Sequence, residues 1–182
     1  MKRQCGSTNA AHHFEHNVYA LMARSGVTIT RVALGIIFLW FGILKFLPAT
    51  TPIDLLAERT LAMITFHLFT AKHCLDVLAV WECMIGLSLL SGRLLRLTLV
   101  LLFLQLPGTF LPLVLLVQET WVHFPIFPTF EGQYIIKNIA LIAGGIIIGS
   151  TVRGGKIIAN PEIAEKAVRV ELAVEESGLH QT

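Results

Sequence analysis

The chain has 182 residues, of which 54% are hydrophobic and only 14% charged, with a mean hydropathy of +0.71. That apolar excess is more than a soluble domain of this size needs for its core, and the length leaves little room for a separate soluble domain. A net charge of +2 with scattered basic residues argues against nucleic acid as a partner, and the lipid bilayer takes its place.

Residues 1–27 are polar and contain histidines, without the short apolar core of a cleavable signal peptide. The first apolar run therefore reads as a retained signal-anchor helix. His12, His13 and His16, with Glu15, place two imidazoles an i,i+4 step apart. No further ligands accompany them, so the expectation is a solvated juxtamembrane helix and no metal site.

A bilayer core takes about 20 apolar residues in helix, at about 1.5 Å each. The stretches that qualify are 28–47, 75–91, 94–117 and 133–152. Between the first two, the segment 48–74 holds a shorter apolar run at 61–69, which reads as an interfacial or re-entrant helix. The expected fold is all-α: an integral membrane four-helix bundle over 28–152 with that extra helix in its first outer loop. A cytoplasmic segment, 1–27, precedes the bundle and a cytoplasmic amphipathic tail, 153–182, follows it.

Lysine and arginine set the orientation. Lys2, Arg3, Arg24, Arg31, Arg93, Arg96, Arg153, Lys156, Lys166 and Arg169 fall on one side, against Arg59 and Lys72 on the other. The connection 118–132 has no basic residue but contains Glu119 and Glu131. Both termini are expected in the cytoplasm. In the tail, Asn160 suits an N-cap, Pro161 the first helical position and Gly178 a stop. Glu162–Lys166 and Glu165–Arg169 are i,i+4 pairs, and Ile163, Ala167, Val170 and Val174 form one apolar stripe. A helix lying on the membrane surface or on the bundle end is expected there, with partner docking as the alternative.

Lys45, Glu82 and Lys137 sit inside three different expected spans. A lysine or aspartate at a helix centre costs roughly 2.5 to 3.5 kcal/mol on insertion scales, so such residues are kept where they meet one another, water or a ligand. Helical spacing groups each with small residues. Arg31, Gly35, Phe38, Gly42 and Lys45 share one face, as do Leu75, Ala79, Glu82, Gly86 and Leu89. Leu101, Gln105, Gly108 and Pro112 make a third line, and Lys137, Leu141 and Gly144 or Gly145 a fourth. Glycine faces let helices approach closely in lipid, so these faces should point inward. They are also the sequence's only support for a homo-oligomer.

Counted from the outer boundary, Lys45 lies about 3–5 Å deep, Lys137 about 6 Å and Glu82 about 9 Å, with Gln105 nearer the middle. The expected site is thus a polar cluster of Lys45, Glu82, Gln105 and Lys137 in the outer half of the bilayer. Its surplus positive charge suits an anion, a carbonyl-bearing head group such as a quinone, or an outer carboxylate such as Asp76 or Glu131. A purely structural seam of ion pairs and hydrogen bonds stands beside this reading, as do lysines that snorkel to the interface.

Other signals are weaker. Trp40, Trp81, Trp121 and Tyr134 suit an outer aromatic belt, Trp40 being deep enough to read as packing. Pro107 and Gly108 interrupt the third span, giving a kink, a hinge or a backbone opening. His67, His73 and His123 lie outside the spans, against a bis-histidine haem. Cys5, Cys74 and Cys83 form neither a C-x-x-C pair nor a metal spacing. No catalytic motif appears, so no catalytic residue is assigned and a self-contained enzyme is not expected.

Several runs together resemble the DoxX-like membrane proteins, including their YkgB-type inner-membrane relatives. They are Arg31-Val-Ala-Leu-Gly-Ile-Ile-Phe-Leu-Trp-Phe-Gly-Ile-Leu-Lys45, Ala79-Val-Trp-Glu82-Cys-Met-Ile-Gly86, Gly108-Thr-Phe-Leu-Pro112 and Glu131-Gly-Gln-Tyr-Ile-Ile-Lys137-Asn138. The similarity covers residues 28–155 and leaves both tails unmatched. It implies a bacterial inner-membrane four-helix protein, with Lys45, Glu82 and Lys137 at the group's Lys, Glu and Lys positions. Some relatives are linked to thiosulfate oxidation with quinone as acceptor, others to resistance against oxidative or reactive-chlorine stress. Three readings follow: an accessory or stress-response membrane protein, a quinone-binding subunit working with a partner redox protein, and a small proton-coupled transporter using Glu82.

Overall fold

The computed structural model describes residues 5–47, 52–66 and 70–179. Helices dominate: α1 (Cys5–Leu44), α2 (Pro52–Ile64), α3 (Ala71–Ser91), α4 (Leu95–Phe110), α5 (Pro112–Leu115) and α6 (Val117–Thr120) precede a small hairpin, β1 (Trp121–His123) and β2 (Phe127–Pro128). Then come α7 (Phe130–Ile136), α8 (Ile139–Thr151) and α9 (Pro161–Leu179). Four helical stretches are long and apolar enough to cross a membrane: Asn17–Leu44, Lys72–Ser91, Leu95–Leu115 and Phe130–Thr151. They lie within a few residues of the expected spans, except that the first starts earlier. The chain divides into two compact units, Met1–Thr28 with Arg153–Thr182 and Ile29–Val152.

In the larger unit the glycine faces bring α1 and α3 into backbone contact. A methyl added at Gly86 would lie 2.5 Å from the Leu39 nitrogen, and one at Gly42 would lie 2.9 Å from the Cys83 nitrogen. One at Gly35 would lie 3.2 Å from the Gly86 carbonyl oxygen. Helices in lipid gain little from hydrophobic transfer and associate through such close packing. Gly144 on α8 receives Leu34 of α1, and Gly145 receives Leu102 of α4. The interior is built from Leu34, Phe38, Ile85, Leu89, Leu99, Leu102, Leu106 and Ile148. Ile36, Trp40, Val80, Leu87, Val100, Leu104 and Ile146 point outward and are exposed. Trp40, expected to pack, is therefore on the outer face.

Gly92 ends α3 with a left-handed φ of 69°, its N–H donating to the Ser88 carbonyl. This turn lets α4 fold back on α3. The Ser88 and Thr98 hydroxyls then meet across it, and the Ser88 hydroxyl donates to the Arg93 carbonyl at 2.8 Å. Pro107 lies inside α4, and the chain breaks at Leu111 before Pro112 begins α5. Proline lacks the amide hydrogen a helix needs and blocks the preceding turn.

The extra helix of the first loop is displaced from its expected place. It runs Pro52–Ile64 rather than 61–69, and residues 67–69 of that run lie outside the described residues. Proline at its first position and Asp54 in its first turn are the local reasons it starts there. It packs against α3 and α5, with Leu56 in a small core beside Leu116 and Ile135.

In the smaller unit, the Asn160 side chain accepts from the Glu162 N–H at 2.9 Å and caps α9, which continues through Gly178 to Leu179. Arg169 donates to Glu165 at 2.6 Å. The side chains of His12, His13 and His16 lie outside the described residues.

Candidate functional site

The unit Ile29–Val152 encloses a cavity of about 530 Å³ whose wall is drawn from α1, α2, α3, α4, the start of α5, and α7 and α8 with the turn between them. Its volume falls within the range of small-molecule sites, about 300–1,000 Å³. Most of the wall is apolar, including Phe38, Phe41, Leu78, Trp81, Leu106 and Leu141.

One stretch of wall is polar. Lys45, in the turn just past α1, donates to Glu82 Oε2 of α3 at 2.6 Å. Gln105 of α4 donates through Nε2 to the other carboxylate oxygen at 2.9 Å. The Lys45 and Glu82 side chains are only 13% and 11% exposed, so this is a desolvated ion pair. Its geometry fixes the glutamine. With both oxygens of the Glu82 carboxylate accepting, Gln105 must turn its NH₂ toward them, which leaves its Oε1 buried and without a partner among the described residues. A buried acceptor left without a donor costs about 1–3 kcal/mol, so the site retains an unused hydrogen-bonding position.

Three of the four residues singled out in the sequence thus meet, and Lys137 stands apart. It is exposed, does not line the cavity, and holds its Nζ 4.7 Å from the centroid of the Tyr134 ring. The helix is tightened there: Asn138 N–H bonds to Ile135 O, Ala140 N–H to Lys137 O and Leu141 N–H to Asn138 O. These i→i+3 bonds change the register assumed for one continuous helix. Asn138, not Lys137, lines the cavity.

Sequence reasoning also passed over Asp54, Thr60, Tyr134 and Asn138 as parts of the wall. Tyr134 meets Phe41 edge-on at 5.9 Å. Asp54, rather than Asp76 or Glu131, joins Glu82 as a carboxylate lining the cavity. The signals for these were the helix start at Pro52–Asp54 and the i,i+4 spacing of Tyr134 and Asn138.

Chemically, the arrangement is a mainly apolar chamber whose wall holds a compensated ion pair and, besides it, Asp54. It can receive a neutral amphiphile, donating from Lys45 and accepting through Gln105. The chain matches no protein-family model, no curated protein and no solved structure.

Proposed function

We propose that this chain is a DoxX-like, multi-pass protein of the bacterial inner membrane, with both termini cytoplasmic and α2 lying at the outer interface. In this reading it is an accessory component of a redox or stress-response system and holds a quinone in its cavity for a partner redox protein. The observation behind the reading is the Lys45–Glu82–Gln105 chain forming one wall of an otherwise apolar chamber. The residues present fit such a group: Phe41, Trp81 and Tyr134 offer aromatic surface, while Lys45 and Gln105 offer polar contacts for a carbonyl or hydroxyl. A bound quinone would supply two-electron carrier chemistry, and the protein's part is to bind, orient and exclude water.

The test is organic extraction of protein purified from native membranes into lipid nanodiscs, followed by mass spectrometry. Wild type is expected to retain quinone in near-stoichiometric amount, and Lys45→Met and Glu82→Gln to lose most of it per mole of folded protein recovered. Wild-type protein free of quinone overturns the reading.

A second reading, a small proton-coupled transporter, is favoured by the buried Glu82 and by Pro107 and Pro112, which remove amide donors from the apolar stretch that carries its partner Gln105. Proton-coupled uptake in proteoliposomes that persists in Glu82→Gln would dismiss it.

A further inference from the structure

We infer that the cavity opens sideways into the hydrocarbon of the bilayer, between α1 and α4, and takes a neutral lipid with a single tail that leaves through this opening. The inference rests on the ligand reading above and adds the route and the tail.

Residues that line the cavity and also reach the outer surface mark its mouth. On α1 these are Ile37, Phe41 and Leu44, exposed by 37%, 40% and 39%. On α4 they are Leu104, exposed by 64%, and Gly108, and Ile64 at the end of α2, exposed by 44%, stands at one end of the opening. The polar chain sets the level: Phe41 and Leu44 lie within about one turn of Lys45, and Leu104 and Gly108 within about one turn of Gln105. No charged side chain is among these mouth residues, and α1 and α4 belong to stretches apolar enough to cross a membrane. A solute arriving from water would meet an apolar rim, whereas one dissolved in the acyl chains would meet its own kind.

Gly108 supports the opening independently. A methyl built there meets no atom within 4 Å, unlike Gly35, Gly42 and Gly86, whose glycines are filled by neighbouring helices. Glycine in a helix interior costs about 1 kcal/mol relative to alanine, and here close packing does not account for it. Its effect is a gap in the wall of α4.

The head must be neutral. Lys45 and Glu82 already compensate each other, Asp54 in the same wall disfavours an anionic head, and a cationic head would lose its hydration in a mainly apolar chamber.

The test uses protein in nanodiscs with Trp40→Phe and Trp121→Phe, so that Trp81 of the cavity wall is the sole tryptophan. Quenching of Trp81 is titrated with two probes of identical dimethoxy-methyl-benzoquinone head, one bearing a decyl tail and one bearing none. Gly108→Phe should weaken the tailed probe by about tenfold or more and leave the tail-less one within about twofold. Gly108→Ala serves as the folding control. Equal loss of both probes, or loss of neither, overturns the sideways opening while leaving the quinone reading intact. If wild type binds neither probe, the quinone reading fails and a monoacylglycerol brominated along its chain decides the opening. Quenching of Trp81 that Gly108→Phe relieves supports it, and quenching unchanged by that substitution overturns it.

Discussion

Lys45 Nζ lies 2.6 Å from Glu82 Oε2, and this contact joins the end of the first apolar helix to the middle of the third helix across 37 residues of chain. Both side chains are nearly buried, so neither charge has water to fall back on. Removing one partner leaves the other uncompensated, which in buried pairs costs about 3–5 kcal/mol, while replacing both with apolar groups is often neutral. Lys45→Met and Glu82→Leu should each lower the unfolding midpoint in detergent strongly, and the double variant should regain most of the loss. Additive losses would mean that the pair is not coupled. The exposed pair Arg59–Glu119, at 2.6 Å with side chains 59% and 39% exposed, should behave differently, Arg59→Ala costing under about 1 kcal/mol.

Gly86 should be among the least replaceable glycines, together with Gly132, whose added methyl would lie 2.1 Å from the Thr120 carbonyl oxygen. At Gly86 the added methyl would meet Leu39 backbone atoms at 2.5 and 2.8 Å, and backbone cannot rotate away as a side chain can. Gly86→Ala must push α1 and α3 apart, at a cost of about 1–3 kcal/mol. Gly149→Ala should instead be neutral or stabilising by up to about 1 kcal/mol, because its methyl would sit 3.6 Å from Leu99 Cδ1, an ordinary contact. Melting temperatures of the two variants in one detergent decide between these outcomes.

The contrast between Gly86 and Lys137 shows what the sequence can carry. Span positions depend on length and hydropathy alone, so 75–91 anticipates Lys72–Ser91 and 133–152 anticipates Phe130–Thr151. Face sharing follows from 3.6-residue periodicity, so Gly35, Gly42 and Gly86 were placed inward and do meet helix backbone. That same periodicity put Lys45, Glu82 and Gln105 on inward faces. It failed where the helix is not regular, at the tightened turn between α7 and α8 that carries Lys137. It also failed for α2, where Asp54, Glu58 and Arg59 interrupt the apolar residues and a search for apolar runs slides toward 61–69. Strands of three and two residues, at Trp121–His123 and Phe127–Pro128, are too short to show alternation.

Orientation makes a separate prediction. Phe124, at the tip of the hairpin, is 65% exposed, and Ile163, near the start of α9, is 55% exposed. In a background with Cys5, Cys74 and Cys83 changed to serine, Phe124→Cys should react with a membrane-impermeant maleimide in intact spheroplasts. Ile163→Cys should react only after the membrane is permeabilised. The opposite pattern would invert the topology derived from the ten-to-two distribution of basic residues.

Lys137 offers the sharpest separation of pattern from geometry. The sequence sets it beside Glu82 as a second amine, whereas the structure holds it exposed over the Tyr134 ring. A cation over an aromatic ring at an exposed site is worth about 0.5–1 kcal/mol, so Lys137→Met should cost no more than that. A double-mutant cycle discriminates further, because residues without a shared contact add within about 0.3–0.5 kcal/mol while contacting ones couple by about 0.5–3 kcal/mol. Lys137→Met combined with Glu82→Gln should be additive, and Lys45→Met combined with Glu82→Gln should not. Coupling between Lys137 and Glu82 as large as that between Lys45 and Glu82 would restore the two-amine cluster and require α7 and α8 to join in one regular helix, turning Lys137 inward in place of Asn138.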